Sequence, residues 1–201
     1  MKRKSLLILI LLFLIGCTEV EKKIPEKVNP EGFSVRDSSI QPHNLDEYLF
    51  IEDVMYVDVR PYTSILKYGY VAGFQFVPYY DLIASRINEK TLFEMTGSGQ
   101  TGSFIPNFVE SEQYLNHLFP KDKKILAISE EGSECSYLFN LLKQYGYEAK
   151  NLYNVGGFAN NSGFILAYRN LDNPKNLVPG NSLDIGFTVE YNFVDKLTPI
   201  E

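Results

Sequence analysis

The sequence of 201 residues has no tryptophan, two cysteines, two histidines and no run of three consecutive basic residues beyond its first four positions. Its 19 lysines and arginines stand against 25 acidic residues, a balance that argues against nucleic acid as a partner. The apolar run Leu6–Ile15 has only ten residues and is too short to cross a bilayer as a helix. Tyrosine and phenylalanine are abundant, with 14 of each, and we interpret them as packing residues rather than as a ligand-stacking surface.

The first 17 residues have the pattern of a secretory signal. Three basic residues, at positions 2 to 4, precede the apolar run, and Gly16-Cys17 follows it. Leu14-Ile15-Gly16-Cys17 resembles a bacterial lipobox, which implies cleavage before Cys17 and acylation of its thiol. The alternatives are an uncleaved anchor and an ordinary secretory signal. We predict a signal peptide over residues 1–16 and a protein of the bacterial cell envelope that is anchored to a membrane by lipid on Cys17 and faces away from the cytoplasm.

Cleavage changes both the charge and the cysteine chemistry of the chain. Loss of residues 1–16 leaves 16 basic and 25 acidic residues, a net charge of −9. With Cys17 acylated, Cys135 has no partner for an intramolecular disulfide.

Composition divides the mature chain into three parts. Residues 17–44 are rich in charge, proline, serine and asparagine, and we predict a tether on the lipidated Cys17, with a short strand around residues 33–35. Residues 45–165 have the size, and the alternating strand and helix patterns, of one α/β domain. In the extension over residues 166–201, apolar residues alternate with polar ones from Ile185 to Phe193, which predicts one more strand.

The segment Ile125–Tyr147 is the centre of the domain. A short apolar run precedes the polar loop Ser129-Glu130-Glu131-Gly132-Ser133-Glu134-Cys135, and apolar residues at helical spacing follow it. We predict a strand, a loop and a helix. In such a unit the loop amides and the helix N-terminus point at one spot, which is the candidate active site.

Four motifs, in chain order, resemble those of the rhodanese family. The first, Asp58-Val59-Arg60, matches the family's Asp-x-Arg. The second, Gly69–Pro78, matches Gly-His-Ile-Pro-Gly-Ala-x-Asn-Ile-Pro, with Tyr70 in place of the histidine. The third is the central loop and helix, and the fourth, Val155–Phe158, matches a closing Gly-Gly. The resemblance covers about residues 45–163. It implies an α/β fold with a roughly five-stranded, mostly parallel sheet flanked by helices, and the chain adds the C-terminal strand.

The segment near residues 88–109 is an insertion relative to the family. Its Gly-rich part, Thr96–Ser103, has the glycine spacing of a phosphate-binding loop, but Ser103 stands where such a loop requires lysine. We predict a flexible surface loop here, and this loop could cover the mouth of the site.

The resemblance places Ser129 on the cysteine that carries sulfur as a persulfide in rhodaneses. A serine cannot form a persulfide, and neither His43 nor His117 has an evident place beside Ser129 as a base. Three glutamates, Glu130, Glu131 and Glu134, stand where the family has basic or neutral residues, and their charges oppose an anionic sulfur donor.

The remaining assignments concern support and ligands. We predict that Asp58 and Arg60 hold the strand end through hydrogen bonds and an ion pair, rather than taking part in catalysis. We predict no cofactor and no metal, with a metal held by the three glutamates as the alternative.

These residues leave three functions open. The first, which we predict, is a binding or scaffolding module that has lost catalysis and binds an envelope protein. The second is a sulfurtransferase that works through Cys135, which falls in the first turn of the helix but also on its apolar stripe. The third is a hydrolase with Ser129 as nucleophile, although the chain lacks the glycines of a nucleophile elbow.

Overall fold

A computed structural model of the chain describes residues 22–87, 90–157, 168, 172–180 and 195–201. The predicted signal peptide, Cys17 and the strand predicted from Ile185 to Phe193 lie outside the described residues. No helix in the described part of the chain is long and apolar enough to span a bilayer.

Nine strands and three α-helices occur in these ranges. In chain order they are β1 (Val54–Asp58), α1 (Tyr62–Tyr68), β2 (Tyr70–Val71), β3 (Gln75–Phe76), β4 (Ala84–Ser85), β5 (Phe93–Thr96), β6 (Ser103–Pro106), α2 (Ser111–Leu118), β7 (Lys124–Ser129), α3 (Ser133–Gln144), β8 (Leu152–Gly157) and β9 (Leu177–Val178).

The domain is built on a four-stranded sheet in the order β3-β1-β7-β8, with every neighbouring pair parallel. The runs of β1 and β7 are almost wholly apolar because both faces of the sheet are covered. Alternate residues of these strands enter two different apolar clusters, one of which contains the buried side chains of α2 and α3. The α/β class is therefore as predicted, with four strands instead of about five in the described part of this sheet.

Parallel pairing gives the sheet two chemically different edges. We call the edge where β1, β7 and β8 end, at Asp58, Ser129 and Gly157, the carboxyl edge. We call the edge where the same strands begin the amino edge. The predicted site lies at the carboxyl edge, where open α/β sheets commonly bind ligands.

The segment near residues 88–109 is largely a β-hairpin. β5 and β6 pair antiparallel, and β4 pairs with β5. A π-helix over Tyr79–Ile83 precedes β4. The glycine-rich part predicted as a surface loop is the turn of this hairpin. The apolar residues that flank the glycines at strand spacing bury one face of the hairpin, since Phe93, Met95 and Phe104 lie in the same apolar cluster as α3.

The chain between residues 24 and 44 packs along the domain, which differs from the predicted tether. Ile24 and Ile40 are buried in the second apolar cluster, and the hydroxyl of Tyr153 donates to the carbonyl of Pro25 at 2.9 Å. The residues predicted as a first strand lead into a 3-10 helix over Val35–Asp37. Polar composition conceals this packing because the few apolar residues that hold the segment are widely spaced.

Candidate functional site

The loop between β7 and α3 is held in shape by a glycine. Gly132 has φ +89° and precedes the first turn of α3. A Cβ at this position would lie 2.6 Å from Cγ2 of Val35 and 3.2 Å from Cα of Gly156. Both the left-handed conformation and the close approach require glycine, so the loop has one backbone path between the sheet and the N-terminal segment.

The hydroxyl of Ser129 is fully buried and engaged within the loop. Its Oγ accepts a hydrogen bond from the amide of Gly132 at 2.7 Å. The Gly132 amide at the start of α3, which would otherwise face a ligand anion, therefore donates to an uncharged oxygen. Ser129 therefore links the end of β7 to the start of α3.

Cys135 lies on the buried face of α3 and not at the surface of the loop. Its side chain is 0% exposed and belongs to the apolar cluster that also contains Leu138 and Phe139. Burial raises the pKa of the Cys135 thiol well above its usual value, the nearby Ser129 hydroxyl lowers this pKa by less than burial raises it, and the charges of Glu134 and Asp58 raise it further. A neutral, inaccessible thiol is a poor nucleophile.

Alkali is expected to destabilise the fold through Cys135. Because the folded-state pKa of this thiol is raised, the folded chain retains a proton that the unfolded chain releases above about pH 8.5. Below that pH, titration of Cys135 should not change the free energy of unfolding. Above it, the free energy of unfolding should fall by up to about 1.4 kcal/mol per pH unit. Urea denaturation of the wild type and of Cys135→Ala between pH 8 and pH 10 measures this difference.

The buried tyrosines are present in both of these proteins and cancel in the comparison. Equal pH slopes for the wild type and Cys135→Ala, or alkylation of native Cys135 by iodoacetamide as fast as in the unfolded chain, would contradict the burial of a neutral thiol.

The three loop glutamates point in different directions. Glu130 accepts a hydrogen bond at 2.5 Å from the buried hydroxyl of Ser64 in α1, whereas Glu131 is exposed. One carboxylate oxygen of Glu134 is buried and has no hydrogen-bond partner among the described residues. In the ranges that the structure covers, no group of three or more His, Cys, Asp or Glu side chains is arranged to hold a metal ion, so the three-glutamate alternative has no support here.

Asp58 and Arg60 form the ion pair expected at the end of β1. The guanidinium donates to the carboxylate through Nε at 2.9 Å and Nη2 at 2.6 Å, and Nη2 also donates to the carbonyl of Gly69 at 2.9 Å. The Asp58 carboxylate additionally accepts from the Arg60 amide at 3.1 Å. Both side chains are 0% exposed, so the pair joins the strand end to the turn after α1 and has no access to solvent.

Asn154 is a part of the site that sequence reasoning missed. It is fully buried in β8 and donates to the carbonyl of Gly132 at 2.8 Å and to Oγ of Ser136 at 3.0 Å. It also donates to the carbonyl of Phe33 at 3.3 Å and accepts from the amide of Gly156 at 3.0 Å. A lone asparagine within an otherwise apolar strand was the available signal, since a buried amide needs partners.

A pocket of about 410 Å³ opens beside the start of α3. It is lined by Ser34, Val35, Arg36, Gln100, Glu131, Gly132, Ser133 and Ser136. Ser129 and Cys135 do not line it. The pocket therefore presents hydroxyl groups and charges of both signs, and it lacks the residue that would carry sulfur.

The hairpin inserted between β4 and α2 forms one wall of this pocket. Asn140 of α3 donates to the carbonyls of Gly99 and Gly102, at 3.0 and 3.1 Å, and Gln144 donates to Gly102 at 2.9 Å. The turn of the hairpin is thereby fixed along α3, with Gln100 beside the site. These hydrogen bonds hold the turn against α3.

No family model matches the chain, and no match is found among curated proteins or among solved structures.

Proposed function

We propose that the chain is a rhodanese-like domain that has lost sulfur transfer and serves as a binding module, anchored by lipid on Cys17 to a membrane of the cell envelope. The observation that carries the proposal is the buried hydroxyl of Ser129, hydrogen-bonded to the Gly132 amide at 2.7 Å. This hydroxyl occupies the place where a transferable sulfur would be bound. The parallel sheet, the loop before α3 and the Asp58–Arg60 pair are compatible with this class of fold.

The alternative of sulfur transfer through Cys135 meets two physical obstacles. A persulfide requires an accessible thiolate, and burial both hides this thiol and raises its pKa. The loop that a thiosulfate anion would have to approach carries three carboxylates, each of which opposes a like charge nearby by about 1 kcal/mol or more.

A binding function draws support from the pocket beside α3. It is lined by hydroxyls, by the basic Arg36 and by the acidic Glu131, a mixed chemistry suited to polar groups of a protein partner. The partner that fits the proposed location is another protein of the cell envelope.

Incubation of the mature protein with thiosulfate and cyanide tests the loss of sulfur transfer. We expect no thiocyanate and no gain of about 32 Da, the mass of one added sulfur atom, on the intact chain. Intact-mass spectrometry and a colorimetric thiocyanate assay give the two readouts. An adduct that disappears in Cys135→Ser would replace the binding proposal with the sulfurtransferase alternative.

A restored nucleophile provides the positive control for this experiment. Ser129→Cys, combined with Glu130→Gln and Glu131→Gln to remove two opposing charges, places a thiol at the position of the family's nucleophile. Because Ser129 is itself fully buried, this thiol should react with thiosulfate only as fast as the loop opens, and any thiocyanate formed would support the proposed family. Ser133→Cys, at a pocket-lining position of the same loop, is the matched control and should not form thiocyanate; equal activity of the two variants would count against the proposed family.

A further inference from the structure

A charged groove lies at the amino edge of the sheet, opposite the candidate site. It has a volume of about 360 Å³ and includes residues at or just before the starts of β1, β7 and β8. Four lysines line it: Lys22, Lys23, Lys123 and Lys124. Three acidic residues share the lining, Glu52, Asp53 and Asp122, so the groove carries a formal net charge of +1.

The remainder of the molecule has the opposite sign. Since the mature chain carries −9, the residues outside the groove carry −10. The carboxyl edge contributes Glu130, Glu131 and Glu134 from the site loop. The two edges are separated by the six residues of β7, about 17 to 20 Å of strand, so the domain has a basic end and an acidic end.

The rim of the groove also presents an aromatic side chain in a costly conformation. Phe50 and Asp53 are the non-glycine residues with positive φ in the described part of the chain, at +62° and +61°. Left-handed backbone is unfavourable for a bulky residue. Phe50 nevertheless remains 65% exposed and lies beside Gly73, and the next residue in the chain, Ile51, lines the groove.

The amino edge is also the place from which the chain leads to Cys17. Lys22 lines the groove and stands five positions after Cys17, a distance of at most about 18 Å in extended chain. A lipid on Cys17 would therefore hold the groove close to the bilayer surface. A tether this short also makes docking effectively intramolecular, so that a weak surface interaction is sufficient to orient the domain.

We propose that the amino-edge groove docks on a bilayer surface that contains anionic lipid, so that the loop between β7 and α3 faces away from the membrane. The inference rests on the proposed lipid anchor and adds an orientation to it. The net positive charge of the groove is attracted to anionic headgroups, by about fivefold in the binding equilibrium for each net charge, while the acidic carboxyl edge is repelled. The exposed ring of Phe50, next in sequence to the groove residue Ile51, is suited to the boundary between headgroups and acyl chains.

Fluorescence quenching on vesicles tests this orientation. The mature chain, with Cys17→Ser and a hexahistidine tag at its N-terminus, is tethered to nickel-chelating lipid. A fluorophore is attached either at Asn151→Cys, in the groove lining, or at Gln100→Cys, in the pocket beside α3; both positions are uncharged in the native chain. In phosphatidylcholine vesicles with about a quarter phosphatidylglycerol, nitroxide-headgroup lipid should quench the Asn151 probe roughly threefold more than the Gln100 probe, because the two edges lie about 20 Å apart.

Charge variants decide whether the groove causes the difference. The triple variant with Lys22→Gln, Lys23→Gln and Lys123→Gln should abolish the difference in quenching between the two probes. The matched triple variant Lys67→Gln, Lys90→Gln and Lys196→Gln, which changes the net charge equally at exposed positions outside the groove lining, should preserve it. About 1 M salt, which shortens the screening length to about 3 Å, should remove the difference in the native sequence.

Equal quenching at the two positions, stronger quenching at Gln100, or an equal effect of the two triple variants would overturn the proposed orientation. The artificial tether keeps this outcome separate from that of the lipid anchor. The anchor is tested by the mass of Cys17 in the membrane fraction of cells, and the loss of sulfur transfer by the thiosulfate experiment.

Discussion

Replacement of Arg60 by alanine is expected to lower the free energy of unfolding by about 3 to 5 kcal/mol, because it leaves the carboxylate of Asp58 buried without its partner. The pair is fully buried, with Nη2 of Arg60 2.6 Å from the carboxylate. The carbonyl of Gly69 also loses its donor. Urea denaturation of the wild type and of Arg60→Ala measures the change.

Two control variants separate the charge of Arg60 from its bulk. Asp58→Leu with Arg60→Met removes both charges and should recover most of the lost stability, since a buried pair can often be replaced by apolar residues of similar volume. Lys150→Ala removes an ion pair with Glu148 whose side chains are about 60% exposed, and it should produce no measurable change. If the double variant were as unstable as Arg60→Ala, lost packing and not an unpaired charge would be the cause.

Asn154→Ala is expected to destabilise the fold by about 1 to 3 kcal/mol, because it removes the side-chain acceptor of the buried Gly156 amide and the shortest side-chain donor to the Gly132 carbonyl. The amide of Gly156 loses its acceptor and the carbonyl of Gly132 loses its donor at 2.8 Å. The effect should be local as well as global, since these bonds join β8 to the site loop. Chemical denaturation gives the total, and hydrogen exchange should show faster exchange of the Gly156 amide.

Ser136→Ala is the matched control for Asn154. The Ser136 hydroxyl touches the same carbonyls, of Gly132 and Phe33, but both distances are 3.3 Å. Its loss should therefore cost about 1 kcal/mol or less. Equal effects of the two variants would mean that the network depends on the hydroxyl as much as on the amide of Asn154.

The strand, loop and helix of the central segment were predictable because their signals are local. An apolar run of strand length, a glycine and apolar residues at helical spacing are enough to place β7, Gly132 and α3. The Asp58–Arg60 pair was predictable for the same reason, since both residues stand at the end of one strand. What each side chain of the loop contacts was not predictable, because Ser64 and Asn154 come from distant elements.

The hairpin and the N-terminal segment were misjudged for a common physical reason. In both, the composition is polar or glycine-rich, and the packing depends on a few apolar residues such as Phe93, Phe104, Ile24 and Ile40. Such residues stabilise a segment only through contacts with residues far away in the sequence. A prediction from local composition cannot identify those contacts. A segment's polarity indicates that it is at the surface and not that it is unattached.

The packing of the N-terminal segment also has a consequence for the order of folding. Pro25 and Lys27 are bonded to Tyr153 and Ala149, 128 and 122 residues further along the chain. Contacts of such long sequence separation form slowly, so we expect the segment around Pro25 and Lys27 to dock only after β8 has joined the sheet.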